Sequence, residues 1–151
     1  MLGSEISKIL KSDFQCKPFF RGVFASNTLP NVLPRGQNHA LVINLDSNKK
    51  PGSHWVGLFI SSSGHGVYFD SLGLNVFITN IKLFIKRNCS SLQCNKMTIQ
   101  NILSYTCGYY VIYFLRNMVR GVTLHDFQSS FKKNNTYFND VYICRVYKTK
   151  L

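Results

Sequence analysis

Cys107-Gly108-Tyr109-Tyr110-Val111-Ile112-Tyr113-Phe114-Leu115 decides the fold of this chain. The pattern runs on to Arg120, apolar on nearly every side, and Gly121 stops it. A helix that is apolar all round sits inside a domain rather than on its surface. Residues 107–120 are therefore predicted to form a buried central helix with a cysteine at its mouth.

The other elements are read outward from that helix. Ser4–Lys11 carries Ile6, Ile9 and Leu10, a short amphipathic helix with Ser4 as its N-cap. Residues 18–36 hold three prolines and two glycines and are expected to be an ordered loop. Ala40–Leu45, His54–Ser61 and Val67–Asp70 read as strands, the first two joined by the turn Asn48-Lys49-Lys50-Pro51-Gly52. Helical spacing of Phe77, Ile78, Ile81, Phe84 and Ile85 predicts a helix over 75–87, and Lys96–Ile99 is expected as a short strand. Thr123-x-x-Asp126 has the form of a helix cap for a short helix through Phe131, while the periodicity of Tyr137–Val146 does not separate helix from strand. The expected architecture is α+β, one domain over residues 1–151: a small mixed or antiparallel sheet with helices around the central one.

Composition narrows the class. The 151 residues are 45% hydrophobic, enough for a packed core rather than disorder, and large enough to bury roughly 70% of the unfolded surface. No apolar run reaches the roughly 18–20 residues a bilayer span needs, so no membrane partner is expected. Five cysteines without a repeating spacing argue against a disulfide framework and for a reducing compartment, cytosol or nucleus. Cys89-x₄-Cys94 lacks a second ligand pair, so no metal is expected. The net charge of +12 points to a polyanionic partner, most often nucleic acid.

Four residues supply the roles of a thiol acyl-transfer site. Cys107 opens a helix, where partial positive charge stabilises a thiolate. Gly108 is expected to let a substrate backbone approach and to leave the Cys107 N–H free to donate. His54 stands at the edge of a strand as general base. Asp70 ends the neighbouring strand, within reach of orienting that imidazole, or alternatively caps the turn Ser71-Leu72-Gly73. Gln100, seven residues before Cys107, is the second oxyanion donor. Among the other histidines, His65 is expected to be solvated in a hairpin, and His39 and His125 to be structural. Only His125 follows the cysteine, eighteen residues on, too close for a papain-like order. Trp55, the single tryptophan, is expected to fill core beside the base.

His54-Trp55, Tyr68-Phe69-Asp70-Ser71-Leu72-Gly73, Gln100 and Cys107-Gly108 together resemble the signature of the adenovirus protease (adenain) family and its relatives in Maverick/Polinton-type elements. Cys16-Lys17-Pro18-Phe19-Phe20-Arg21-Gly22 is similar to that family's N-terminal Cys-Gly-Pro-Tyr-Phe-Leu-Gly segment, and Ala40–Asn44 to the strand that follows. The acid is Asp where adenovirus enzymes usually have Glu; SUMO-type proteases and element-encoded relatives also use Asp. The chain is shorter than the adenovirus enzymes, chiefly after the central helix.

The resemblance implies a monomeric cysteine endopeptidase that cuts viral precursor proteins at Gly-containing sites during particle maturation, in the host nucleus and the virion. It implies a Cys-His-Asp triad with Gln100 in the oxyanion hole. It further implies two cofactors: an activating viral peptide, with Cys89 as the matching disulfide partner, and DNA, with Lys82, Lys86, Arg87, Lys132 and Lys133 as phosphate contacts. Two other readings stay open: a ubiquitin-like-protein (SUMO-type) protease, and a non-enzymatic basic nucleic-acid-binding protein.

Overall fold

The computed structural model describes residues 1–151. Five strands form one mixed sheet in sequence order: β1 (Phe20–Ala25), β2 (His39–Asn44), β3 (Trp55–Ile60), β4 (His65–Phe69) and β5 (Ser91–Cys94). The two outer pairings, β1·β2 and β4·β5, are parallel, while β2·β3 and β3·β4 are antiparallel. Helices α1 (Gly3–Ser12), α3 (Cys107–Val119), α4 (Leu124–Ser129) and α5 (Thr136–Val146) lie on one face, and α2 (Thr79–Asn88) lies on the other. The expected α+β class with a buried central helix is what the chain adopts.

The alternation of strand residues divides the core in two. Ala40, Val42, Phe59, Val67 and Phe69 face α3, whereas Leu41, Ile43, Val56, Leu58 and Tyr68 face α2. Strand residues alternate between faces, so β2 and β3, buried on both, read as continuous apolar runs. The central helix rests on β3 at Gly57, where an added Cβ would stand 2.8 Å from Phe114 Cδ1. A larger residue there would push α3 off the sheet. Phe114 stacks on Phe69 with ring centroids 4.7 Å apart.

Several elements depart from expectation, each for a physical reason. Residues 18–36 are not all loop, because the prolines flank β1 rather than interrupt it; its irregular register falls at Gly22, whose φ of 142° suits glycine. The strand expected at Lys96–Ile99 lies instead at Ser91–Cys94, an edge strand with mostly exposed side chains that is specified by main-chain pairing to β4. Helix α2 starts at Thr79, since Val76-Phe77-Ile78 is a run of poor helix formers, with Val76 and Ile78 packed against the α2-side core and Phe77 exposed. In α1 the cap position is Leu2, not Ser4, and the Glu5 carboxylate accepts from the Leu2 N–H. Thr123 caps α4 as expected, its hydroxyl accepting from the Asp126 N–H. Residues 136–146 are helical, and the polar pair Asn139 and Asp140 on the buried face obscures their period. No helix is long and apolar enough to cross a membrane.

Candidate active site

The site forms where the ends of β3 and β4 meet the mouth of α3. His54 immediately precedes β3, and Asp70 immediately follows β4. These strands are antiparallel neighbours, with Gly57 opposite Phe69, so His54 and Asp70 arrive at the same end of the sheet. The His54 Nε2 lies 2.7 Å from Asp70 Oδ1. Asp70 Oδ1 also accepts from the Leu72 N–H at 2.8 Å. Orienting the imidazole and capping the turn, posed as alternatives from sequence, are met by one oxygen.

Cys107 is the first residue of α3 and is 8% exposed. With Nε2 on Asp70, Nδ1 remains for the thiol, and His54 and Cys107 border the same cleft, near enough for each to shift the other's titration. Burial pushes the His54 pKa down, but the Asp70 and Cys107 hydrogen bonds and charges outweigh it and raise the value to about 9. Burial likewise pushes the Cys107 pKa up, and His54 together with the Trp55 and Gly108 main-chain N–H groups brings it below its ordinary value. Both displacements favour thiolate facing imidazolium.

Gln100 is buried at 3% exposure on the segment leading to Cys107. Its Oε1 accepts from the Ser71 hydroxyl at 2.5 Å, and its Nε2 donates to the Ser104 carbonyl at 2.9 Å. That assignment uses one of the two amide hydrogens within the chain. The Cys107 N–H lies in the first helical turn, which has no intrahelical acceptor. Both groups border a cleft of about 460 Å³ that also touches Met1, Trp55, Leu72 and Tyr105. A larger hollow of about 790 Å³ between β5 and α4 contains Cys94, whose pKa is raised by burial.

Some roles differ from those expected. Gly108 does not face the cleft: a Cβ there would meet Met1 Sδ at 2.9 Å and Ile6 Cδ1 at 3.2 Å, so the glycine lets α1 pack against α3. Trp55 is half-buried at the cleft wall and donates its indole N–H to the Met1 carbonyl. His39 is structural, held between Arg21 and Pro34, while His125 is exposed on α4. His65 bonds the Ser91 hydroxyl across to β5.

Of three supporting groups, Ser71 belongs to the turn and motif read from the sequence, whereas Asn95 and Asp140 carried no recognisable signal. Asn95, 1% exposed, accepts from the Asp70 N–H and donates to the Asp70 carbonyl. The Ser71 carbonyl accepts from the Ile99 and Gln100 N–H groups, tying the turn after Asp70 to the segment that carries Gln100. Asp140, fully buried on α5, accepts from Thr106, Tyr110 and the Asn101 N–H. An Asn beyond a predicted strand and an Asp in an undecided segment look like ordinary polar residues until their partners are placed.

The residues suggested for cofactors are dispersed. Cys89 follows α2, half-buried against the core on the face opposite α3, and burial raises its pKa to about 11. All five cysteines are free thiols. Lys82, Lys86 and Arg87 are exposed on α2, whereas Lys132 and Lys133 lie between α4 and α5 on the other side of the sheet. The five cations therefore do not form one surface. No group of three His, Cys, Asp or Glu gathers to hold a metal.

Residues 40–146 match the model of the Ulp1 protease family, C-terminal catalytic domain, a span containing all four candidate residues. The chain belongs to the Ulp1 protease family. By family it is a cysteine protease domain, in keeping with the adenain-like and SUMO-protease-like resemblance of its motifs. Among solved structures, the ASFV pS273R protease is similar over 99% of this chain and 67% of that one, at 17% identity and a TM-score of 0.66. A second structure of that protease matches 76% of this chain and 45% of its own, at 20% identity and a TM-score of 0.54. ChlaDub1 from Chlamydia trachomatis matches 74% and 60%, at 15% identity and a TM-score of 0.56. At these identities the structural likeness concerns the fold. The chain thus spans from under half to about two thirds of the length of these structures. No curated protein matches it.

Proposed function

We propose that this Ulp1-family domain is an endopeptidase that cuts polypeptides through a thioester at Cys107. The observation that carries the reading is the Asp70–His54 contact at 2.7 Å beside Cys107, with His54 and Cys107 on the wall of one open cleft. The Cys107 thiolate attacks the scissile carbonyl carbon, and the oxyanion is held by the Cys107 N–H and the Gln100 amide. The C–N bond then breaks as the His54 imidazolium gives its proton to the leaving amine. Water attacks the thioester, His54 takes a proton from it, and the carboxylic acid product departs with the thiolate restored. Asp70 keeps the imidazole in the orientation that serves both steps.

The substrates proposed are viral precursor proteins cut at Gly-containing sites, with DNA as a stimulating polyanion. The motif resemblance and the +12 charge support this reading. A purified-protein assay with Gly-containing peptides, with and without duplex DNA and at two salt concentrations, tests it. Cleavage that Cys107→Ala abolishes and that DNA accelerates only at low salt is expected. Turnover retained by Cys107→Ala would end the catalytic proposal, and indifference to DNA would end the cofactor part alone.

A second reading, a protease for ubiquitin-like proteins, is favoured by the family whose model matches residues 40–146. Offering ubiquitin-like precursors beside the Gly-containing peptides separates the two by the ratio of kcat/KM.

A further inference from the structure

The other end of the sheet carries a second concavity, of about 230 Å³, remote from the catalytic residues. It touches His39 and Ile60, which face one another across β2 and β3, whereas Asn44 and Trp55 pair at the His54 end. Five residue steps of extended strand separate the two ends, roughly 17 Å.

Three walls enclose this cavity, and hydrogen bonds join them. The loop over residues 33–37 is pinned to β2 by His39, whose Nδ1 accepts from Arg21 Nε at 2.7 Å. The other ring nitrogen must then carry the proton it donates to the Pro34 carbonyl at 2.7 Å. Arg21 also donates to Gln37 and the Asn38 carbonyl. The end of α2 grips the loop through Asn88, which accepts from the Leu33 N–H and donates to the Asn31 carbonyl. The serine loop 61–64 is tied in by the Ser62 N–H on Asn38 and by the Ser90 hydroxyl on the Ser63 carbonyl. The cavity is built before any ligand arrives.

Its charge is one-sided. Arg35, Lys86 and Arg87 line it together with the Ser62, Ser63 and Ser90 residues, and no acidic residue does. The chain has no Asp or Glu at all between Asp13 and Asp46, or between Asp70 and Asp126. Elsewhere the few acids are spent: only Lys50, Arg116 and Arg120 among the Lys and Arg residues reach a carboxylate. Complementing the C-terminal dipole of α2 explains Lys86 and Arg87. It does not explain Arg35, brought in from a separate loop.

We propose that this cavity is a binding site for a compact, phosphate-rich anion. Guanidinium and ammonium donors with hydroxyls around a small polar hollow suit phosphate oxygens, which accept several charge-assisted hydrogen bonds at once. Apolar Leu33, Pro34 and Ile60 also line it, but every charged group there is a cation, and a small concave hollow suits phosphate groups better than a duplex lying across a surface. The site is independent of the proposed cleavage chemistry.

Isothermal titration of the whole protein with sodium tripolyphosphate tests this, beside inorganic phosphate and a short DNA duplex as separate arms. Saturable binding of tripolyphosphate at one site per chain, with a raised Tm, is expected. The exposed double variant Arg35→Glu/Lys86→Glu should weaken it at least about tenfold while keeping its circular dichroism, because each lost charged hydrogen bond is a sizeable fraction of such affinity. Lys132→Glu/Lys133→Glu, the same charge change across the sheet, should leave it within about twofold, as distant sites act independently. Equal loss in both double variants would mean a nonspecific response to net charge and overturn the proposal. So would the absence of saturable binding, or duplex binding through Arg35 and Lys86 without tripolyphosphate binding.

Discussion

Asn95 holds Asp70 by both main-chain polar atoms: its Oδ1 accepts from the Asp70 N–H at 2.8 Å and its Nδ2 donates to the Asp70 carbonyl at 2.7 Å. The β4·β5 pairing ends at Tyr68 and Cys94, so this side chain continues the ladder one step beyond the sheet. It thereby fixes the residue whose carboxylate meets His54. Without this grip the acid would end a frayed strand.

Asn95→Ala should therefore damage the site through geometry. Leaving the Asp70 N–H unpaired, while the carbonyl keeps the Gly73 N–H at 2.8 Å, costs about 1–3 kcal/mol of stability. Loss of alignment should lower kcat/KM roughly ten- to hundredfold. A merely structural residue would leave the titration of His54 unchanged. Here the alkaline limb of the rate profile should move down from about 9 towards the ordinary histidine value of 6.5, because Asp70 sustains the raised pKa. An unmoved limb would assign Asn95 to stability alone.

Alkylation discriminates among the thiols. Cys107 is brought below its ordinary pKa of 9.0, against the rise due to burial, by His54 and two main-chain N–H groups. Cys16 and Cys89 are each pushed by burial to about 11, and Cys94 and Cys144 are raised as well. Iodoacetamide near about pH 6.5 should accordingly modify Cys107 first, since the thiolate is the nucleophile. His54→Ala should remove that preference, which peptide mass mapping would show. Labelling of another cysteine ahead of Cys107 would contradict the proposed ion pair.

The pH dependence of stability has a definite sign. His54 titrates at about 9 in the folded chain, above its ordinary 6.5. Its contribution is fully present below about pH 6.5 and fades as pH rises through about 9. Chemical denaturation across that window, in a Cys107→Ala background, should show a stability loss that the His54→Gln/Cys107→Ala double variant lacks. That background removes the opposing titration of the thiol, which His54 itself lowers, and the comparison cancels the remaining shared groups.

What was legible in the chain depended on whether side chains or main-chain pairing specified an element. The continuous apolar runs of β2, β3 and α3 declare themselves because both sheet faces and nearly all of the helix are buried. Strand β5 was invisible, since Ser91, Leu92 and Gln93 expose their side chains and only hydrogen bonds to β4 make them a strand. At the site, His54, Asp70, Gln100 and Cys107 could be named because their residue types and order suit one chemistry. Their supports Asn95 and Asp140 could not. Gly108 illustrates the limit: a glycine beside a nucleophile suggests substrate approach, yet here it accommodates Met1 and Ile6. Its neighbour from α1 lies over a hundred positions away in sequence, beyond the reach of any local pattern.

Asp140 should prove the most sensitive residue outside the proposed triad. Its fully buried carboxylate has no Lys or Arg partner and is held by neutral donors: the Thr106 hydroxyl at 3.1 Å, the Tyr110 hydroxyl at 2.8 Å and the Asn101 N–H at 3.2 Å. These donors come from the segment that carries Gln100 and from the first turns of α3, so the acid ties α5 to the Gln100 side of the cleft. Asp140→Ala would strand the Asn101 N–H and leave the Tyr110 and Thr106 hydroxyls only the Ile99 carbonyl and Ser104, a loss of about 1–3 kcal/mol. Tyr110→Phe removes a single donor and should cost about 1 kcal/mol. Because the two residues share one bond, the double variant should be less destabilised than the sum of the singles. Urea denaturation of the four proteins measures that coupling, and strict additivity would show that the contact contributes nothing to holding the loop.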